Sequence, residues 1–345
     1  MVLIAVLILI FLALLWAFLA MPQWPPRPMT AFAGRDYAHR GLWSPDGPPE
    51  NSLTAFRLAA EAGFGIELDV QRTVDGELVV FHDDSLERMC GVRKPLTSCT
   101  YAELQACPLL SGDETIPTFA EVLREVAGRV PLIVEIKQGP DVAETCRLAD
   151  AMLQRYPGLA CVESFDPRAV RWFRKNRPQR IRGQLAAFPT RRSVCGRSAK
   201  TLMLGLMVCN VLSRPDFVAH ETATDRSPFF RAVRRMGAST VAWTVRSQEE
   251  MDRLRGRYDL QIFDSFLPRE EEPFDPDEAQ EEYEAGAPDG AGEPLDADEA
   301  GVPEEAGPLF PPEESEAGAL PDGDVPADAQ PAPLRRRRAG RSADC

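Results

Sequence analysis

The sequence is poor in several features that define whole classes of protein. It has only three histidines, and none of its eight cysteines forms a CxxC pair, which excludes the usual zinc-finger spacings. At 44% hydrophobic and 27% charged residues, the composition excludes collagen, coiled-coil, multi-span membrane and fully disordered chains. Several cysteines lie in apolar runs, so we interpret them as buried free thiols rather than a disulfide framework, which favours a reducing compartment.

The N-terminal end of the chain has no charged residues, and a long stretch near the C-terminal end has only acidic ones. Residues 1–26 carry no charged side chain, and residues 270–334 carry 22 Asp and Glu but no Lys or Arg. Residues 269–345 are predicted to form a disordered acidic tail, because they cannot bury enough apolar surface to fold. The arginine cluster at residues 335–338 binds anionic lipid or, in the interpretation we favour, is a solvated end. The remaining chain is mildly basic, which suits an anionic ligand, and we expect no nucleic-acid partner.

The chain begins with twenty consecutive apolar residues, enough to span a bilayer core of ~30 Å. We predict a transmembrane anchor over residues 1–24 and favour it over a cleaved signal peptide, because no basic residue precedes the run and Phe18 occupies a position that cleavage would want small. Arg27, Arg35 and Arg40 follow the run. The positive-inside rule then predicts a single-pass protein of the cell membrane with its globular part in the cytoplasm.

Short apolar runs alternate with amphipathic helical segments between these two ends, a pattern typical of parallel sheets. Eight candidate strands predict a TIM (β/α)8 barrel over residues 34–268, with a small insertion at about residues 83–115. A doubly wound open sheet is the alternative, but no glycine-rich phosphate loop follows the first strand. Residues 190–213 include the run TLMLGLMVCNVL, which is apolar nearly all round and predicts a buried barrel helix, with a membrane-facing lid as the alternative.

Ionisable residues follow or occupy five of the predicted strands, where a structural role alone is hard to explain. The carboxyl ends of barrel strands converge on one mouth, which is where barrel enzymes place their catalytic groups. Glu67 and Asp69 share one face of a strand, and three carboxylates from two strands favour a hard divalent cation, Mg²⁺ or Ca²⁺. Two histidines beside cationic side chains suggest acid–base chemistry on a phosphate. His220 lacks such neighbours and is interpreted as structural.

The ordered motifs AHRG, PENSLTAF, GIELDVQRTVDGELVVFHDDSLER, IPTFAEVL, VEIK, ESFD and AWTV span roughly residues 36–265. In this order they resemble the glycerophosphodiester phosphodiesterase family, which adopts a barrel of this kind. The resemblance implies one divalent cation and the following site residues: His39 and His82 as the catalytic pair, Glu67, Asp69 and Glu135 as metal ligands, Arg40, Lys137 and Glu50 at the phosphate, and Trp243 in the alcohol pocket. The last strand ends in FDSF rather than the common family motif, so only Asp264 carries over there.

The resemblance implies metal-dependent hydrolysis of a phosphodiester to an alcohol and sn-glycerol 3-phosphate by the two histidines. The substrate is a small molecule or is derived from a lipid. One alternative is lysophospholipase D activity on membrane lysophospholipids, which the apolar anchor and the apolar run within residues 190–213 motivate. A second is a non-catalytic membrane-anchored scaffold, which the complete set of polar residues opposes. A metal-dependent sugar isomerase would not predict both AHRG and PENS. The sequence leaves the oligomeric state open.

Overall fold

The computed structural model describes residues 1–190 and 198–269. Within these residues the strands form one sheet that closes on itself, because β1 pairs with both β2 and β9. The eight barrel strands are parallel, and β3 adds to β2 as an antiparallel hairpin. The strands are β1 Tyr37–His39, β2 Gly65–Arg72, β3 Leu78–Val80, β4 Leu132–Ile136, β5 Ala160–Ser164, β6 Arg182–Ala186, β7 Phe217–Glu221, β8 Ser239–Val245 and β9 Leu260–Phe263. The predicted TIM barrel is confirmed, whereas the predicted acidic tail lies outside the described residues from residue 270 onward.

Most barrel helices begin at the residues that their sequence signals predict. Ser52 accepts a hydrogen bond from the backbone of Ala55, and Thr118 forms a capping box with Glu121. Proline occupies the first turn of two helices, where its missing N–H costs nothing. The helices are α1 Val2–Ala20, α2 Leu53–Glu61, α3 Glu87–Cys90, α4 Tyr101–Gln105, α5 Phe119–Val126, α6 Val142–Leu153, α7 Pro167–Asn176, α8 Ala199–Gly205, α9 Asn210–Ser213, α10 Pro228–Arg235 and α11 Gln248–Leu254.

Residues 83–115 fold over one side of the barrel as short helices and turns around a small core of their own. This core contains Leu86, Met89 and Leu104 and continues onto Val79 and Phe81 of the hairpin segment. The segment therefore packs as one body with β3.

Residues 198–213 differ from the single buried helix that their apolar composition predicts. They form two short helices, α8 and α9, separated by a turn in which Met207 has a φ of 60°. Gly205 packs so closely against Ala187 and Phe188 that a Cβ would not fit. Because a short helix cannot bury apolar residues on every side, Leu202 and Met203 remain about half exposed, at 42% and 50%.

The linker between α1 and β1 closes the barrel at the amino ends of its strands. Met29 and Phe32 are buried against the interior residues of the barrel, and the Tyr37 hydroxyl donates to the Phe32 carbonyl oxygen at 2.8 Å. The Arg27 guanidinium donates to the buried carboxylate of Asp216 with an Nε–Oδ1 distance of 2.8 Å. The linker is thus part of the packed barrel.

Helix α1 is long and apolar enough to span a membrane, although a signal sequence near an N-terminus has the same properties. Residues 2–15 are exposed. The last turns of α1 pack on the barrel, where the Trp16 indole donates to the Leu206 carbonyl at 2.9 Å and the Asn210 amide donates to the Ala20 carbonyl at 2.8 Å.

The described cysteines are all free thiols; Cys99, Cys146, Cys161 and Cys209 are buried as predicted, whereas Cys90 and Cys107 are only half-buried.

Candidate active site

Three carboxylates from two adjacent strands meet inside the barrel near the carboxyl ends of those strands. Side chains of a strand alternate between its faces, so Ile66 and Leu68 pack toward the helices while Glu67 and Asp69 point into the barrel. Glu135 of β4 is paired in register with Asp69 and shares this face. Oxygens of Glu67, Asp69 and Glu135 lie within 4.8 Å of one another, and all three residues are buried. The triad could therefore hold a metal ion.

The electrostatics of the triad fit a cation. Burial, together with the neighbouring carboxylates, raises the pKa of Glu67 well above its usual range. Burial would also raise the pKa of Asp69, but nearby Lys137, His82 and Arg40 hold it well below its usual range. Burial raises the pKa of Glu135 despite the opposing charge of Lys137. Buried carboxylates this close repel one another, and oxygen ligands of this kind suit a hard divalent cation.

Two basic side chains are held against the triad. The Lys137 ammonium lies 3.1 Å from Asp69 Oδ1 and 3.2 Å from Glu135 Oε2. The Arg40 guanidinium lies 3.4 Å from Asp69 Oδ2 and donates to Glu50 Oε1 at 2.8 Å. Arg40 has a φ of 61°, a left-handed conformation that a non-glycine residue adopts at a cost of ~1–2 kcal/mol. The surrounding fold therefore holds Arg40 in a strained conformation beside the triad.

His39 is held from behind by Asp264. The His39 Nδ1 lies 2.9 Å from Asp264 Oδ2, while Nε2 lies 3.9 Å from Glu67 Oε2 on the triad side. Burial, with the charge of Arg40, lowers the pKa of His39 to about 4, although Asp264 opposes this. His39 is therefore neutral at pH 7. Its Nδ1–H donates to Asp264, which leaves the lone pair of Nε2 facing the triad.

His82 is held by a different carboxylate. The His82 Nδ1 lies 2.7 Å from Asp83 Oδ1, and Asp83 accepts two hydrogen bonds from Arg88, at 2.7 and 2.9 Å. The other side of Arg88 donates to both oxygens of Glu50, at 2.6 and 2.9 Å. Burial would raise the pKa of Glu50, but Arg88 and Arg40 lower it. Glu50 thus lies between two arginines and links the insertion to the site.

An apolar wall borders the polar groups. Trp243 packs edge-to-face on Phe165 with ring centroids 5.5 Å apart, and Leu185 lies beside them. Together with both histidines, Glu67 and Glu135, they line a cavity of about 320 Å³. One end of this cavity is charged and the other is aromatic, which suits a ligand with an anionic and an apolar part.

The structure brings all nine predicted site residues to this mouth, and it adds residues to which sequence reasoning gave no role. Asp83 and Arg88 position His82, and Asn51 donates to Asp69 Oδ2 at 2.9 Å. Glu163 of β5 is buried in the cavity wall, and its Oε2 has no hydrogen-bond partner among the described residues. Burial and the charge of Glu135 raise the pKa of Glu163 well above its usual range. The position of Glu163 near the end of a predicted strand indicates that it lies at the mouth of the barrel. The structure agrees, because Glu163 pairs in register with Glu135.

The sequence model of the glycerophosphoryl diester phosphodiesterase family matches residues 39–258, which is more than half of the chain. The chain belongs to this family. The resemblance carried by the motifs is therefore confirmed, and the family is one of phosphoric diester hydrolases.

Named relatives agree with this assignment. A glycerophosphodiester phosphodiesterase from Caldanaerobacter subterraneus subsp. tengcongensis is 27% identical over 63% of this chain and 88% of its own length. One from Bacillus altitudinis is 35% identical, but the match covers 36% of this chain and only 48% of that protein. The human lysophospholipase D GDPD1 is 30% identical over 34% of this chain and 40% of its own length.

The barrel also resembles solved structures. A phosphodiesterase from Oleispira antarctica in complex with the product sn-glycerol-3-phosphate superposes with a TM-score of 0.55 at 22% identity, covering 68% of this chain and 94% of that one. A glycerophosphodiester phosphodiesterase from Parabacteroides distasonis gives a TM-score of 0.53 at 24% identity, covering 73% of this chain and 99% of that one. At these identities the likeness supports the fold.

Proposed function

We propose that this chain hydrolyses glycerophosphodiesters to an alcohol and sn-glycerol 3-phosphate. The observation that carries the proposal is the cavity in which the buried triad of Glu67, Asp69 and Glu135 adjoins two histidines. A phosphodiester resists attack because its anionic oxygens repel a nucleophile. A site that neutralises this charge more strongly in the transition state lowers the barrier.

The triad would hold one divalent cation, Mg²⁺ or Ca²⁺, because the donors are all carboxylate oxygens. When bound, that ion supplies Lewis-acid stabilisation of the phosphoryl charge. Arg40 and Lys137 lie beside the triad and would bind the phosphate oxygens, while Glu50 positions Arg40 from behind. Pairing with Asp69 and Glu135 raises the pKa of Lys137 even though burial opposes it, so this side chain remains cationic.

The two histidines take opposite roles in the proposed reaction. His39 is neutral with a free Nε2, so it accepts the proton of the attacking hydroxyl, whether that hydroxyl belongs to water or to the glycerol of the substrate. Asp264 stabilises the imidazolium that forms. His82, held by Asp83, donates a proton to the leaving alkoxide. Trp243 and Phe165 would contact the leaving alcohol.

A lysophospholipase D activity is the second candidate, and the apolar helix α1 favours it. A membrane-anchored enzyme meets phosphodiesters that carry an acyl chain, and the human relative named above is a lysophospholipase D. In this proposal α1 anchors the chain to the cell membrane once. By the positive-inside rule, the arginines that follow α1 favour a cytoplasmic barrel.

Hydrolysis by the full chain in detergent tests these proposals. The substrates are soluble glycerophosphocholine, glycerophosphoethanolamine and lysophosphatidylcholine, each assayed with and without EDTA. We expect release of the alcohol that EDTA abolishes and Mg²⁺ or Ca²⁺ restores. If no substrate is cleaved under any of these conditions, the catalytic proposal is wrong and the scaffold alternative is favoured. Full activity in EDTA after dialysis would instead contradict the proposed cation.

A further inference from the structure

Helix α1 runs alongside residues 206–215 in the same direction. The Trp16 indole donates to the Leu206 carbonyl, and the Asn210 side-chain amide donates to the Ala20 carbonyl. The backbone N–H of Gln23 donates to the Pro215 carbonyl at 2.9 Å. Pro215 lies just before β7, at the amino end of that strand. Following α1 backward from Ala20 therefore leads away from the closed end of the barrel and toward its mouth.

Trp16 already lies level with the mouth. Its ring packs 5.6 Å from that of Phe229, which stacks on Phe188 at 6.2 Å. Phe188 comes two residues after β6, and Phe229 lies in the first turn of α10, after β7. Both are therefore on the mouth side of the barrel. Residues 2–15 continue past this level, exposed and without charge.

The exposed part of α1 is too short to cross a bilayer by itself. Residues 2–15 span ~21 Å at ~1.5 Å per residue. This falls short of the ~30 Å hydrocarbon core by roughly 9 Å. If α1 crosses the membrane, the turn from Trp16 to Ala20 and the protein surface beside it must enter the outer layer of the bilayer. Tryptophan is enriched at that depth.

Helix α8 supplies such a surface. Gly205 at its end packs against Ala187 and Phe188, which places α8 at the rim of the mouth. Leu202 and Met203 are exposed on it. Single exposed apolar residues are ordinary on a protein surface, but these two lie within one helical turn of Leu206, whose carbonyl accepts the Trp16 indole N–H. Interfacial helices bury their apolar side by ~5–10 Å, which matches the missing length of α1.

We propose that the catalytic mouth faces the phospholipid bilayer, with Leu202 and Met203 inserted at the boundary between headgroups and acyl chains. The substrate is then a phosphodiester that enters the cavity from the lipid surface. This inference rests on the proposed membrane anchoring and deepens the proposed hydrolase function by assigning the direction from which substrate arrives.

Photo-crosslinking of the full chain in phosphatidylcholine vesicles tests the orientation. Azidophenylalanine replaces Met203 in one variant and Leu159 in a matched control. Leu159 is equally exposed, at 49%, and directly precedes β5 at the opposite end of the barrel. We expect at least about tenfold more radiolabelled lipid crosslinked at position 203, because interfacial contact reaches only ~5–10 Å deep. Equal crosslinking, stronger crosslinking at position 159, or none at either position would overturn the proposal.

A pair of charge substitutions tests the consequence for substrate entry. In Leu202→Glu combined with Met203→Glu, we expect about a tenfold loss of activity on vesicle-embedded lysophosphatidylcholine, because a charge resists entry into the bilayer. Hydrolysis of soluble glycerophosphocholine and the behaviour of Leu159→Glu should match wild type. Unchanged activity of the double variant on the embedded lipid would overturn the proposal. If wild type cleaves neither substrate, the hydrolase function fails, while the crosslinking comparison still decides the orientation.

Discussion

Asp264→Asn removes the negative charge behind His39 while keeping the size of the side chain. The Asp264 carboxylate accepts from His39 Nδ1 at 2.9 Å, and an asparagine carbonyl can accept the same hydrogen bond. The substitution therefore tests charge rather than packing. In the proposed reaction His39 becomes cationic as it takes a proton, so the transition state gains from Asp264 more than the ground state does.

The size of the effect follows from the geometry. Two unit charges ~4 Å apart interact by about 4 kcal/mol at an effective dielectric constant of ~20. Arg246 lies 3.4 Å from the other oxygen of Asp264 and offsets part of this interaction. A net loss of ~2–3 kcal/mol corresponds to a ~30- to 150-fold decrease in kcat. KM should change little, because Asp264 lies behind the imidazole and does not line the cavity.

Steady-state hydrolysis of glycerophosphocholine gives both constants, and Asp259→Asn is the matched control. Asp259 accepts from the Thr240 amide at 2.6 Å and its hydroxyl at 2.8 Å, at the amino end of β8 and far from the mouth. We expect its kcat to match wild type. A folded Asp264→Asn variant whose kcat is unchanged would refute the role given to Asp264. A rise in KM alone would place Asp264 in substrate binding instead.

Four further predictions concern single sites. Glu67→Gln should abolish hydrolysis and the rise in Tm that Mg²⁺ or Ca²⁺ gives wild type, as read by calorimetry. His39→Ala and His82→Ala should each lower kcat by about 10²-fold or more, while the double variant loses far less than the product. His220→Phe should keep kcat and make the free energy of unfolding less sensitive to acid. Burial lowers the pKa of His220 from 6.5 to about 4, so this group costs wild type up to about 3 kcal/mol of stability as pH falls across that interval. Urea titrations at several pH values measure this difference. Arg27→Ala should lower the free energy of unfolding by about 2 kcal/mol, because it removes a partner of a buried carboxylate; no measurable change would contradict this.

The sign of the His220 effect follows from proton binding. Between pH 6.5 and 4 the unfolded chain binds a proton at His220 that the folded chain does not, so stability rises with pH. His39 contributes in the same direction, whereas Glu67, Glu135 and Glu163, whose pKa values burial raises, contribute in the opposite one, so the difference in slope between wild type and His220→Phe measures the contribution of His220. An unchanged slope would show that burial does not lower the pKa of His220 in the folded protein.

Sequence reasoning succeeded where a residue's position in its own strand decides its environment. The alternation in GIELDV places Glu67 and Asp69 on one face, and register with β4 brings Glu135 to them. It could not find the link from Arg88 to Glu50, because that contact depends on how residues 83–115 fold back over the barrel. The packing of α1 on α9 was equally hidden, since nothing in an apolar run indicates which surface will cover its last turn.

The short segment between α1 and β1 is packed into the base of the barrel, and this limits where the chain can be truncated. Burying Met29 and Phe32 is worth ~3–6 kcal/mol together, a large part of the 5–15 kcal/mol that stabilises a typical domain. A catalytic fragment that starts at residue 34 would lose both side chains and leave Asp216 without Arg27. Helix α1 could be exchanged for another without loss of these contacts only upstream of Trp16, whose indole N–H donates to the Leu206 carbonyl. Helix α1 and the barrel are therefore joined as one mechanical unit, in which the segment that follows α1 also closes the base of the barrel.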